Sequence, residues 1–263
     1  VSPLAFRSTP AVLLDIDGVL HVGDAPIPGA VEALVELREL SSGLRMVTNT
    51  TSRSRAEVAS RLEKIGFEAV AEEMLTPAAM AVQYCASHDI GDVSLYVSDS
   101  LREDLSELRE VASGQTPDVV VLGDIGHRFN LETMNEIFAL LMDGAKLMAL
   151  QHNRYWQHSD GLELDVGAWA ASLEYATGRT AITVGKPSNE FFKAALESLG
   201  AQPESAVMVG DDLEADVNGA QTCGIQGVLV KTGKYREGVT SDRGFGPAAI
   251  IDSIADLPAL LKP

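Results

Sequence analysis

The chain is poor in aromatic residues, in cysteine and in positive charge. Aromatics make up 5% of 263 residues, there are two cysteines, and 20 Lys and Arg face 38 Asp and Glu, for a net charge of −18. So acidic a surface repels polyanions, which excludes nucleic acid and anionic membrane as expected partners. Cys85 and Cys223 form no CxxC or Cys/His ligand pattern and read as free, mostly buried thiols in a reducing compartment. No stretch approaches the roughly 20 apolar residues that span a bilayer. The opening VSPLAFRSTP has no basic segment leading into an apolar one, so it does not read as a signal peptide. The expectation is a soluble cytoplasmic protein. Glycine- or serine-rich linkers, internal repeats and low-complexity tracts are missing as well.

What is present is small apolar residues in alternating patterns. Hydrophobic residues make up 46% of the chain, enough for a sizeable core in one large or two modest domains. Short apolar runs at 11–16, 44–48, 93–97, 118–123, 146–150, 181–185, 206–210 and 227–230 read as buried strands. Between and after them, 29–40, 54–66, 101–112, 131–142, 166–177, 188–200 and 213–222 read as helices, with a short helix in the tail. Val31, Leu34 and Val35 are expected on one face of the first helix. Thr76 followed by Pro77 is a helix start, a capping hydroxyl before a first-turn proline. This order predicts an α/β fold with a doubly wound parallel sheet.

Ligands of such sheets sit beyond the carboxyl ends of the strands. Four apolar runs here end on unusual polar residues: Asp15 and Asp17 in VLLDIDGVL, Thr48 and Asn49 in MVTNTT, Lys186 in VGKPS, and Asp211 and Asp212 in MVGDDLEAD. Each alone is compatible with a turn, a cap or a surface lysine. In combination they point to a site. Carboxylates brought together repel unless a cation sits among them, and hard oxygen ligands suit Mg²⁺. A lysine and a hydroxyl beside them suit the remaining oxygens of a phosphoryl group. An acidic protein can hold an anion if its charge is neutralised locally in this way.

DIDGVL, VTNT, GKPS and GDDLEAD, in that order, resemble the four motifs of the haloacid dehalogenase superfamily, and the resemblance spans the chain. It implies a phosphatase working through an aspartyl-phosphate. Asp15 would be the nucleophile. Asp17 would be the general acid and then the base. Thr48, Asn49 and Lys186 would hold phosphate oxygens, and Lys186 would also stabilise the charge on Asp15. The resemblance gives Mg²⁺ to Asp15, Asp211 and the backbone carbonyl of Asp17, with Asp212 and Asp216 supporting from behind. A second aspartate at Asp17 favours phosphoryl transfer to water over carbon–halogen cleavage, which needs no proton donor there.

Spacing places a second domain. Only a short flap and one helix fit between Asp17 and Thr48, whereas far more than one βα unit separates Thr48 from Lys186. Residues 77–178, with their own β/α alternation, are expected as an inserted α/β cap of the larger (C2) type, on a core formed by 1–76 and 179–263. Such a cap excludes water and reads the leaving group. His152, Asn153, Arg154 and Tyr155, in the stretch 151–160, are candidates for substrate selection, with an ordinary polar loop as the alternative. KTGKYR (231–236) reads as a basic solvated turn, with a rim of the site or a subunit contact as the alternatives, and His21 as a flap residue with either a structural role or a contact to substrate. The expected partner is a small phosphorylated molecule: a phosphoester, pyrophosphate or phosphoramidate. A homodimer through the cap is open on family grounds. A phosphotransferase or mutase of the same superfamily and a phosphoryl-accepting signalling domain are the alternatives, the latter set back by the length of the chain.

Overall fold

Continuous apolar runs too short for helices become strands buried on both faces, as an all-parallel sheet requires. The computed structural model describes residues 4, 6, 9–112, 114–158, 161–238 and 246–262. In chain order its strands and α-helices are β1 (Ala11–Asp15), β2 (His21–Val22), β3 (Ala25–Pro26), α1 (Ala30–Leu40), β4 (Gly43–Val47), α2 (Arg55–Lys64), β5 (Met74–Leu75), α3 (Pro77–Ser87), β6 (Asp92–Tyr96), β7 (Arg109–Glu110), β8 (Val119–Leu122), α4 (Leu131–Met142), β9 (Lys146–Ala149), β10 (Tyr155–His158), β11 (Gly161–Leu164), α5 (Val166–Thr177), β12 (Ile182–Thr183), α6 (Asn189–Leu199), β13 (Ala206–Gly210), α7 (Gly219–Thr222), β14 (Gln226–Val230), β15 (Ala249–Ile251) and α8 (Leu257–Leu261).

Contacts divide the chain into two compact units. The first comprises Val1–Thr48, Val58–Leu75 and Lys186–Pro263. It holds a six-stranded sheet in the order β15-β14-β13-β1-β4-β5, with every pairing parallel. The second comprises Asn49–Glu57 and Thr76–Gly185. Its five-stranded sheet, ordered β12-β9-β8-β6-β7, is also all parallel. No helix among the described residues is long and apolar enough to cross a membrane.

Caps set the helix starts. Thr76 accepts from the Ala79 N–H and opens α3, as its sequence predicts, and Ser188 accepts from the Phe191 N–H at the start of α6. Four expectations are corrected. On α1 the buried stripe is Ala30, Ala33, Leu34 and Leu37, and Val35 is 50% exposed. Position 35 lies about 100° around the helix from Leu34, outside a stripe centred on 30, 34 and 37. The helix expected at 101–112 is a short 3₁₀ turn, Ser100–Arg102, followed by turns and β7. Leu101 and Leu105 are fully buried from those turns. Arg109 pairs with Asp92 at 2.6 Å beside β6, so cross-strand pairing overrides the local helical period.

The run 181–185 yields only β12, which pairs with β9 in the second unit's sheet. Residues 179–185, expected with the core, therefore group with the second unit. Finally, 213–222 is a wide π-turn, Leu213–Asn218, running into α7. Cys85 is buried as expected, Cys223 is only half-buried, and both are free.

Leu37→Ala should cost about 2–5 kcal/mol, since Leu37 is fully buried. Val35→Ala should be nearly neutral. Urea unfolding monitored by circular dichroism measures both, and equal losses would contradict the stripe assigned to α1.

Candidate active site

In the first unit the chain leaves β1 towards β4 and β5, and later builds β13, β14 and β15 on the other side. The order reverses between β1 and β13, the place where such sheets leave a crevice at their carboxyl ends. Asp15 is the last residue of β1, and Asp211 directly follows β13. Lys186 reaches them from the start of α6, two residues before the Ser188 cap, and not from a strand of this sheet. Its ammonium lies 2.7 Å from Asp15 Oδ1 and 2.7 Å from Asp216 Oδ1, and donates to the Val47 carbonyl at 3.2 Å. Lys186 is 2% exposed.

Asp216, expected behind the site, joins it. One oxygen each from Asp15, Asp211 and Asp216 lie within 4.8 Å of one another. The π-turn makes this possible: the Val217 N–H reaches back five residues to the Asp212 carbonyl, and Asp216 Oδ2 accepts from the Asp212 N–H at 3.1 Å. Wide turns of this kind recur at functional sites. The Asp17 carboxylate stays outside the cluster, its side chain 65% exposed.

Two glycines let the backbone close around Asp211. Gly18 (φ 81°) and Gly233 (φ 62°) each sit so near that an added Cβ would lie 2.0 Å from Asp211 Oδ2. Both also adopt the left-handed backbone that favours glycine. Gly233 belongs to the turn after β14, whose Thr232 hydroxyl donates to the Gly18 carbonyl and whose Lys234 N–H donates to Asp211 Oδ2 at 2.7 Å. Thr232, Gly233 and Lys234 of the KTGKYR stretch thus border Asp211. A Gly flanked by Thr and Lys just after an apolar strand was the available signal.

Burial sets the electrostatics. Asp15 is pushed well above the usual carboxylate range by burial and by Asp216, more than Lys186 pulls it back. Asp211 is pushed up to about 7 by burial and by Asp216. Burial disfavours the Lys186 cation, but Asp15 and Asp216 outweigh it and raise its pKa. Fully ionised, three carboxylates against one ammonium leave two negative charges, which one divalent cation would balance. Asp211 Oδ1 is buried with no hydrogen-bond partner among the described residues. An all-oxygen cluster with an unpartnered oxygen fits a hard divalent cation.

The remaining candidates lie as follows. Thr48 is buried directly after β4, its N–H donating to the Leu75 carbonyl at 3.2 Å. Asn49 groups with the second unit. His21 is buried, with Nδ1 donating to the Gly23 carbonyl at 2.9 Å and Nε2 3.6 Å from Asp17 Oδ1. In the second unit His152 pairs with Glu174 of α5 at 3.1 Å, and the Asn153 carbonyl accepts from the Gly167 N–H at 3.0 Å. Arg154 and Tyr155 are exposed. Ser159 and Asp160 lie outside the described residues.

A haloacid dehalogenase-like hydrolase family model matches residues 12–109, and a HAD-hydrolase-like model matches 183–257. Haloacid dehalogenase-like hydrolase domain-containing protein 2 of Homo sapiens is 42% identical over 232 residues, 88% of this chain and 88% of that protein. Phospholysine phosphohistidine inorganic pyrophosphate phosphatase of Homo sapiens is 37% identical over 256 residues, 95% of this chain and 93% of that protein. The structure of p-nitrophenyl phosphatase from Archaeoglobus fulgidus superimposes with a TM-score of 0.87 at 26% identity, covering 96% of this chain and 99% of that one.

The raised Asp211 pKa has a thermodynamic consequence. Unfolded, the group titrates near 3.8, and folded near 7. Between those values the folded chain binds the extra proton, so stability falls as pH rises through that window. Without divalent cations the melting temperature should fall from pH 5 to pH 8, and Asp211→Asn should flatten the slope. Mg²⁺ should raise it more at pH 8 than at pH 5. Thermal melts in EDTA and in Mg²⁺ measure this, and a wild-type slope unchanged in Asp211→Asn would contradict it.

Proposed function

Given that the chain belongs to the haloacid dehalogenase-like hydrolase family, we propose that it is a Mg²⁺-dependent phosphatase that hydrolyses a small phosphorylated substrate through an aspartyl-phosphate on Asp15. The observation that carries this reading is the Lys186 ammonium 2.7 Å from Asp15 Oδ1, beside the three-carboxylate cluster. The 37% identity to a phosphatase over 95% of the chain supports it.

An Asp15 oxygen attacks the phosphorus, and the bond from phosphorus to the leaving group breaks. Asp17 gives its proton to the departing oxygen or nitrogen; its exposed carboxyl group is accessible for that exchange. Asp17, now a carboxylate, takes a proton from the water that attacks the aspartyl-phosphate. This releases phosphate and restores Asp15. Lys186 balances the charge on Asp15 and on the phosphoryl oxygens, and Thr48 and Asn49 bind those oxygens. Asp15, Asp211 and the Asp17 backbone carbonyl would hold the Mg²⁺, with Asp216 facing the same centre. Bound there, the cation neutralises charge on the transferring phosphoryl group. The second unit's stretch Thr76–Gly185 is read as the cap that selects the leaving group, with His152, Asn153, Arg154 and Tyr155 as its candidates. Asp212 supports Asp211.

Phosphate release from phosphoesters, pyrophosphate and phosphoramidates, with and without Mg²⁺, tests this reading. Turnover should require Mg²⁺ and vanish in Asp15→Asn. Asp17→Asn should lower kcat by roughly 10²–10⁴-fold. Phosphate release that survives Asp15→Asn would refute the covalent route. Transfer to an added alcohol in preference to water would make the enzyme a phosphotransferase.

A further inference from the structure

The turn after β14 does more than border the site. Its residue Lys234 grips two consecutive carboxylates. The backbone N–H donates to Asp211 Oδ2 at 2.7 Å, and the ammonium donates to Asp212 Oδ2 at 3.2 Å. Asp212 is itself fixed from the other side, where its Oδ1 accepts from the N–H groups of Glu214 and Ala215 at 3.1 and 3.0 Å. The turn is tied to the loop after β1 by Thr232 on the Gly18 carbonyl. With one Asp211 oxygen occupied by the Lys234 N–H, the other, Oδ1, is left buried and unpartnered among the described residues.

We propose that Lys234 is a positioning residue for the divalent-cation site: its ion pair with Asp212 pins the turn, and the pinned N–H orients Asp211 so that Oδ1 is presented to the cation. The inference rests on the Mg²⁺ reading above and adds to it a residue from outside the four motifs. The Lys234 side chain is 48% exposed. A half-exposed pair of this kind contributes little to global stability, so its effect belongs to the geometry of Asp211. Residues that hold a metal ligand in place typically change affinity by about 10–100-fold when removed.

Positioning and plain electrostatics predict opposite signs. Lys234 is a cation beside a cation site. Acting through charge alone, its removal would tighten Mg²⁺ binding. Acting by holding Asp211, its removal weakens binding.

Calorimetric titration with Mg²⁺ alone compares the wild type with Asp211→Asn, Lys234→Met, Lys234→Arg and Asp212→Asn, alongside melting temperatures in EDTA. Asn retains the capping oxygen at 212, so the last variant removes the charged pair from the other side. The expected result is Mg²⁺ affinity weakened about tenfold in Lys234→Met and Asp212→Asn, recovery in Lys234→Arg, and little change in melting temperature. Unchanged or tighter binding in Lys234→Met, or no loss in Asp212→Asn, would overturn the positioning role while leaving the Mg²⁺ reading intact. A wild type without a Mg²⁺ site sensitive to Asp211→Asn would overturn both.

Discussion

The site depends on one buried lysine. Lys186 places its ammonium between Asp15 and Asp216, in a pocket that otherwise gathers negative charge. Taking carboxylates out of water is costly, and a buried cation in hydrogen-bonding contact is one of the few ways to hold them there. Lys186 is also hydrogen-bonded to the Val47 carbonyl, which fixes the ammonium against the end of β4. Fully ionised, the three carboxylates and this one ammonium carry an excess of two negative charges, so the arrangement that the lysine makes tolerable remains incomplete without protons or a divalent cation.

The sheet order explains why these groups meet. β1 and β13 are neighbours, so the ends of two segments nearly two hundred residues apart in sequence open side by side. β14 lies next to β13, and the turn that follows it crosses back towards Asp211 and Gly18. That approach is close enough to exclude a Cβ at 18 or 233. The glycines, the Lys234 N–H and the π-turn bearing Asp216 all act on Asp211 or its neighbours, and so shape the cluster that Lys186 compensates.

Much of this was legible in the sequence. An apolar run ending on an acid located Asp15 and Asp211, because a buried parallel strand allows little else than apolar residues until it reaches its end. Lys186 was legible from its motif, but the strand assigned to carry it belongs to the other sheet. Pairing partners are not written in a two-residue strand. Asp216 was placed behind the site on the resemblance alone, and the i-to-i+5 register beside it is a tertiary outcome that spacing does not encode. The Thr232–Gly233–Lys234 turn was undervalued for a similar reason: its proximity to β1 follows from strand order, which periodicity does not encode. The helix expected at 101–112 has the right leucine spacing, yet the sheet edge beside β6 claims Arg109 and Glu110 for a strand.

The most direct measurement is the stability of Lys186→Met as a function of pH, by chemical denaturation without divalent cations. The account predicts a loss of about 3–5 kcal/mol at pH 8, because three buried carboxylates lose their buried cation. Much of that loss should be recovered near pH 5, where the raised carboxyl groups take up protons. Wild-type stability at pH 8, or a loss that does not change with pH, would contradict it.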